Sequence, residues 1–244
     1  MNNASSTHAP ARHAIAVFGA TGGLGLQVTR LALAGGHSVR ALVRSPERLR
    51  EALADLPEAL RGRLEIVTGS ALALSDARRV IHGSTAVISA LGAPALSKSR
   101  IRSEGTATIA RAMELEGVDR LVAISIYGIA ETRKTLPFFL RFVIFPTYLR
   151  RPAAEHTRQE TIMARSGLRW TAVRPPNLTD TDETEVVHDA GVVEGMSMYV
   201  SRLAVAKFML DQLDSDTYVG KAPGIGFPTA AFKAQSPAQL PAAA

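Results

Sequence analysis

The chain has 244 residues, 46% apolar and 20% charged, with a formal charge of +6 and no cysteine. That length and composition suit one α/β domain with a large buried core and exclude a disordered chain. The lack of cysteine excludes disulfides, a thiolate nucleophile and a cysteine-based zinc site. The 28 Lys and Arg are scattered, with no dense cluster interleaved with aromatics, so no nucleic-acid partner is expected. No uncharged apolar run reaches about 18 residues, and the first dozen residues lack an apolar leader core. No membrane partner and a cytoplasmic location are therefore expected.

Residues 1–12 are polar and read as a flexible arm. Ala14–Phe18 is a short apolar run, β1, followed at once by the glycine cluster Gly19, Gly22, Gly23 and Gly25. Leu24, Val28, Leu31 and Leu33 then recur at helical spacing. A strand, a glycine turn and a helix in that order form a nucleotide cradle. Each missing Cβ lets the backbone turn sharply and approach a pyrophosphate. The helix start presents unpaired N–H groups to the anion. The expected contacts here are Gly19, Thr21, Gly22, Gly23, Leu24 and Gly25.

His37–Val43 reads as β2, and Ser45-Pro46-Glu47 opens a helix that ends near Pro57. Leu64–Thr68 is β3, a short helix runs from Ser75 to about His82, and Thr85–Ala90 is β4. Ser99–Glu116 is a long helix stopped by Gly117, and Arg120–Ser125 is β5. This β–α alternation predicts a doubly wound parallel sheet with helices on both faces, a Rossmann-like α/β fold spanning 13–233. Residues 128–152 break the pattern with Pro137, Pro146, Pro152 and the apolar run Phe138–Tyr148. A buried core helix is one reading of that run. A substrate-side cover at about 128–152 and 178–200 is preferred, because ligands bind beyond the strands' C-terminal ends. A membrane-surface patch is set aside. Ala153–Ser166 is a helix, Trp170–Val173 is β6, a short hairpin is expected within 184–200, and Arg202–Leu213 is a helix capped by Ser201. The stretch 234–244 reads as a disordered tail.

The residue after β2 discriminates the dinucleotides: an acid takes the ribose of NAD, an arginine the 2′-phosphate of NADP. Here the run is Val43-Arg44-Ser45-Pro46-Glu47-Arg48, with no acid between the glycine turn and Glu47. Arg44, Ser45 and Arg48 therefore point to NADP(H), the alternative being solvated surface arginines. By topology, Ser70 and Ala71 lie near the adenine, and Leu91, Gly92 and Ala93 beside the ribose and pyrophosphate. Ser125 ends β5, where its hydroxyl reads either as a nicotinamide or substrate contact or as a strand-end turn. His156 reads as a proton donor near neutral pH or as a satisfied helix histidine. The remaining histidines lack metal-ligand spacing, so no metal is expected, and the absence of GxSxG argues against a hydrolase.

The segments FGATGGLG, LVRSPERL, AVISALGAP, SEGTATIARAMELEGVDRLVAIS, EHTRQETIMARSGLRWTAVRPPNLTD and SRLAVAKFML resemble an atypical short-chain dehydrogenase/reductase. The similar group contains flavin reductase/biliverdin-IXβ reductase and NmrA-like proteins. The resemblance implies NADP(H), reductase activity on a small molecule, and a nicotinamide end lined by Ser125, Pro176, Asn177 and Leu178. It leaves monomer and homodimer both open. The departures matter. No tyrosine is followed by lysine four residues on. The family's Lys-x-x-x-Glu register lands on His156 and Glu160, which puts His156 in the Lys position and Pro152 in the Tyr position. Ser70 stands where many relatives have Asp. Ile126 and Asn177 stand where biliverdin-type relatives have Ser and His. Three functions follow as expectations: hydride transfer to a conjugated acceptor such as a flavin, quinone or tetrapyrrole, a nucleotide-sensing regulator, or a ketoreductase or isomerase using Tyr127 or Tyr148 as acid.

Overall fold

The structure, a computed structural model, describes residues 12–94, 96–191 and 196–230. The expected tail, and all of the expected arm but Arg12, lie outside those residues. Six strands form the central sheet: β1 Ala14–Phe18, β2 Ser38–Val43, β3 Leu64–Thr68, β4 Ala86–Ser89, β5 Arg120–Ile124 and β6 Arg169–Val173. Their order is β3-β2-β1-β4-β5-β6, and every neighbouring pair is parallel. The chain winds outward from β1 to β3, then crosses back to β4 on the other side of β1. The C-terminal ends of β1 and β4 therefore flank the switch point where such sheets bind ligands.

Alternate residues of each strand feed opposite faces. Ile15, Val17, Ala41, Ile88, Val122 and Val173 pack in one cluster, with α1 (Gly23–Ala34) and α8 (Arg202–Asp211) covering it. Ala16, Phe18, Leu42, Val87, Leu121 and Ala172 pack in the other. There α4 (Leu74–Ile81), α5 (Ile101–Glu116) and α7 (Arg150–Arg165) form the cover. Burying each large side chain such as Ile15, Phe18, Leu33 or Met113 stabilises the fold by roughly 1.5–3 kcal/mol.

The local signals act as the sequence suggests. Gly117 ends α5 in the left-handed region at φ 71°, and the Ser201 hydroxyl accepts from the Ala204 N–H at 2.9 Å to cap α8. The helix expected from Ser45 to near Pro57 is shorter: α2, Pro46–Ala52, is already capped at Leu53, and Pro57 instead caps a separate short helix, α3 Glu58–Arg61. No hairpin forms among the described residues of 184–200. β8 (Val187–Asp189) pairs antiparallel with β10 (Gly224–Gly226), and β9 (Tyr199–Ser201) pairs parallel with β7 (Asn177–Thr179). Both pairings use partners distant in sequence, which local turn signals cannot announce.

After β5 the chain makes a 3-10 turn over Ala130–Thr135, a π-helical turn over Leu140–Ile144 and α6, Phe145–Thr147. This is no buried core helix. Phe145 and Leu136 turn inward to Tyr127 and Ile129, while Phe138, Phe139, Phe142 and Val143 stay exposed.

Candidate functional site

The glycine turn is packed against its own backbone. Gly19 has φ 83°, and a Cβ there would lie 2.5 Å from the Ala90 carbonyl oxygen of the β4 exit. A Cβ on Gly25 would lie 2.1 Å from the Gly19 carbonyl oxygen. Gly22 donates its N–H to Gly19 O at 3.0 Å and caps α1 in an extended conformation. A Cβ on Gly22 would meet only that oxygen, at an ordinary 3.4 Å. Gly19 and Gly25 are thus needed to build the turn, and Gly22 and Gly23 leave its outer face exposed. The first intrahelical bond runs from the Leu26 N–H to Gly22 O, so the N–H groups of Gly23 and Leu24 have no helical acceptor. No acid lies in the first turn of α1 to compete for them. Thr21 sits beside them, half-buried. An anionic pyrophosphate fits this cradle.

Sequence reasoning missed a cation here. The Cδ and Nε of Arg202 lie 3.0 Å from the position a Gly23 Cβ would take. Arg202 also holds Asp180 at 2.6 Å. Arg202 opens α8, which packs on α1, so tertiary packing alone carries its charge to the turn. The two residues are far apart in the chain, and no local motif links them.

Arg44, Ser45 and Arg48 are exposed at the end of β2 and the start of α2. Neither arginine pairs with a carboxylate among the described residues, whereas Glu47 is taken by Arg50 at 3.5 Å. At the β3 exit the loop is self-contained. The Ser70 hydroxyl accepts from the Leu72 N–H at 3.2 Å, and the Asp76 carboxylate accepts from the Ser70 N–H at 2.9 Å. Asp76 also packs where a Gly69 Cβ would stand, 2.6 Å away. Ala71 is half-buried next to Gly105 of α5. At the β4 exit Leu91 is buried against Gly105, while Gly92 is exposed. Arg102 of α5 donates to Ala93 O at 2.8 Å, and its Nε is buried without a partner. This second cation, beside the β4 exit, also carried no sequence signal.

At the reacting end Ser125 is buried, and its hydroxyl donates to Glu160 Oε1 of α7 at 2.6 Å. Glu160 in turn grips Arg174 bidentately, at 2.9 and 2.6 Å. Arg174, itself buried, also bonds Glu131 in the 3-10 turn. Both carboxylates hold the guanidinium proton and raise its pKa against the opposing effect of burial. One buried cation thus ties β6, α7 and the 3-10 turn after β5 to Ser125. The Ser125 lone pairs stay available to accept a hydrogen bond.

His156 is buried on α7, and Gln159 defines its state. The Gln159 amide nitrogen donates to Ile124 O at 3.1 Å, so its oxygen accepts from His156 Nδ1, also at 3.1 Å. The proton therefore sits on Nδ1, and Nε2 keeps its lone pair. Burial first, and the nearby Arg102 charge second, push the imidazole down to about 3. This corrects the expectation of a group titrating near neutral pH: at pH 7 the ring is neutral and has no spare proton to give. Of the tyrosines weighed as acids, Tyr127 is buried with its hydroxyl bonded to Thr135 at 2.8 Å, and Tyr148 is half exposed. Past β6, Pro176 and Leu178 are half-buried and Asn177 is exposed, its amide donating to Met198 O at 3.1 Å. Among the described residues no cluster of three or more His, Cys, Asp or Glu is arranged to hold a metal ion. No described helix is long and apolar enough to cross a membrane.

A family model described as NAD(P)H-binding matches residues 19–216. Among solved structures the chain is similar to a wide-type short-chain dehydrogenase/reductase from Veillonella parvula in complex with NADP. That match has 20% identity and a TM-score of 0.73, covering 88% of this chain and 94% of that one. It is also similar to the oxidoreductase ylbE from Lactococcus lactis, at 17% identity and TM-score 0.72 over 93% and 96% of the two chains. A third likeness is to ChuY, an anaerobilin reductase from Escherichia coli O157:H7, at 20% identity and TM-score 0.70 over 88% and 97%. These likenesses carry the fold, and the sheet order with its switch point at the glycine turn agrees with them. The family match runs from that turn to beyond α8, and with it the chain belongs to the NAD(P)H-binding family.

Proposed function

We propose that the protein is an NADPH-dependent reductase that delivers hydride to a flat, conjugated acceptor such as a flavin, quinone or tetrapyrrole. The observation that carries this reading is the state of the β5 end, where, among the described residues, each group expected to donate a proton is neutral or already hydrogen-bonded. The Ser125 hydroxyl donates its hydrogen bond to Glu160, His156 is neutral, Tyr127 is bonded to Thr135, and Pro152 stands in the tyrosine register. Reduction of an isolated ketone needs an acid to protonate the developing alkoxide. A conjugated acceptor spreads the charge it gains and collects its proton from solvent. The likeness to ChuY, an anaerobilin reductase, supports the same substrate class.

Bound NADPH supplies the hydride, and the chain supplies position. The N–H groups of Gly23 and Leu24 and the Arg202 charge hold the pyrophosphate. Arg44 and Arg48 take the 2′-phosphate that NADH lacks. Ser125, oriented by Glu160 and Arg174, accepts from the nicotinamide amide. An acceptor screen following NADPH absorbance, with flavins, biliverdins, quinones and small enones, tests the proposal. Steady turnover of a conjugated acceptor is expected. Turnover of isolated ketones alone would refute it. The absence of an acid equally favours a nucleotide-sensing regulator, and tight NADPH binding without turnover of any acceptor would establish that reading instead.

A further inference from the structure

The cover has an outer face that the nucleotide site does not use. Phe138 is 77% exposed, Phe139 60% and Phe142 54%, with Val143 and Tyr148 beside them. Phe138 and Phe142 stack, ring centroids 4.7 Å apart. Their exposure does not come from a loose segment. On the inner side Phe145 and Leu136 fill the space beside Gly128, where a Cβ would lie 2.3 Å from Phe145. The segment is anchored inward and apolar outward, and contiguous apolar surface of this kind marks an interaction site.

Its charge is equally one-sided. Residues 132–154 contain Arg133, Lys134, Arg141, Arg150 and Arg151 and no carboxylate. None of the five pairs with a carboxylate among the described residues. Arg30, Arg78, Arg111 and Arg169 elsewhere on the surface each hold one. A cavity of about 560 Å³ opens between this segment and α7, floored by Phe145, Pro146 and Ala153, with Arg133 and Arg150 as its charged members.

We propose that this face docks on an anionic lipid surface. A headgroup phosphate sits between Arg133 and Arg150, and Phe138, Phe139 and Phe142 enter the acyl boundary. Charge complementarity selects this occupant. A second copy of the chain would bring the same five cations against these and be repelled, and an uncharged partner would leave them buried unpaired. An anionic bilayer meets both needs, since arginine stems lie along apolar surface while their heads stay at the phosphates. The docking does not depend on the reductase reading.

The test is co-sedimentation of the full chain with vesicles of equal parts phosphatidylcholine and phosphatidylglycerol, against pure phosphatidylcholine. Binding to the anionic vesicles and its loss in high salt are expected. Each cation removed weakens partition about five-fold, so R133Q/R150Q costs about 25-fold. F138S/F142S costs at least about ten-fold. Both pairs are exposed, so melting temperature and the NADPH-induced melting shift stay at wild-type values. Failure to sediment with anionic vesicles overturns the proposal, as does binding unchanged by R133Q/R150Q. A concentration-dependent dimer abolished by F138S/F142S would assign the face to self-association instead. Failure of the acceptor screen would leave the vesicle result untouched, so the two proposals fail separately.

Discussion

Gly22 and Gly25 lie in one turn, yet substitution by alanine separates building the turn from using it. In Gly25→Ala the new Cβ would stand 2.1 Å from Gly19 O and 2.7 Å from the carbonyl carbon behind it. Both neighbours are backbone, so no side chain can swing aside. The turn must open by roughly 1 Å, and overpacking of this kind costs about 3 kcal/mol. For a chain of this size that lowers the melting temperature by about 6–12 °C. In Gly22→Ala the φ of −80° suits alanine and the nearest atom is 3.4 Å away. Stability should stay within about 1 kcal/mol. The methyl group instead projects from the exposed face that receives the pyrophosphate. At NADPH near a hundred times Kd, wild type should gain about 2.7 kcal/mol, or about 5–11 °C. A ten-fold loss of affinity in Gly22→Ala halves that gain to about 1.4 kcal/mol. Thermal melts of both variants with and without NADPH read all four quantities. Gly25→Ala melting within 2 °C of wild type, or Gly22→Ala keeping the full NADPH shift, would refute this account of the turn.

Arg44→Ala should weaken NADPH binding about 10- to 100-fold by calorimetry and leave NADH unchanged, because only the 2′-phosphate loses its partner. Equal losses for both nucleotides would remove Arg44 from the discriminating position. Arg202→Ala should weaken NADPH and NADH alike, several-fold and more at low salt, since its side chain lies beside Gly23, where the pyrophosphate common to both is proposed to bind. Discrimination between the two cofactors would contradict that placement. His156 should make the fold acid-labile. Unfolded, the imidazole takes a proton below about 6.5, whereas folded it stays neutral down to about 3. The unfolded state then binds more protons, and stability falls as pH drops through that window, by about 2 kcal/mol from pH 7 to pH 5. In His156→Gln this part of the slope should vanish from chemical-denaturation curves. An unchanged slope would show that the ring protonates in the folded state. Arg174→Met should cost about 3–5 kcal/mol, because it leaves Glu160 and Glu131 without their shared cation. A melting temperature near wild type would mean that the network adds nothing to the fold.

Much of the proposed nucleotide half of the site is readable from the chain because its features are local. Gly19–Gly25 works through φ angles and close contacts within seven residues and the adjoining strand ends. Arg44 follows β2 directly, so its position and the absence of a nearby acid are both read from the chain alone. The reacting half was legible in identity alone. Ser125 and His156 stood out in the sequence, but their chemistry is set by partners the sequence does not place beside them. Glu160 and Arg174 come to Ser125 from α7 and β6. The neutrality of His156 follows from its burial near Arg102 of α5, which no spacing rule encodes.

The same division runs through the fold. Alternation of strands and helices determined a parallel sheet, since buried strands joined by helical crossovers have few other arrangements. Pairings over long separations were decided only on folding: β8 with β10, β7 with β9, and Arg202 against Gly23. Their partners are selected by packing and loop closure, not by the residues next to them. The cover shows the limit most sharply. The sequence determined that Phe138–Tyr148 is apolar and free of acids. Which phenylalanines turn inward was decided by the hollow beside Gly128, which accepts Phe145 and leaves Phe138, Phe139 and Phe142 facing out.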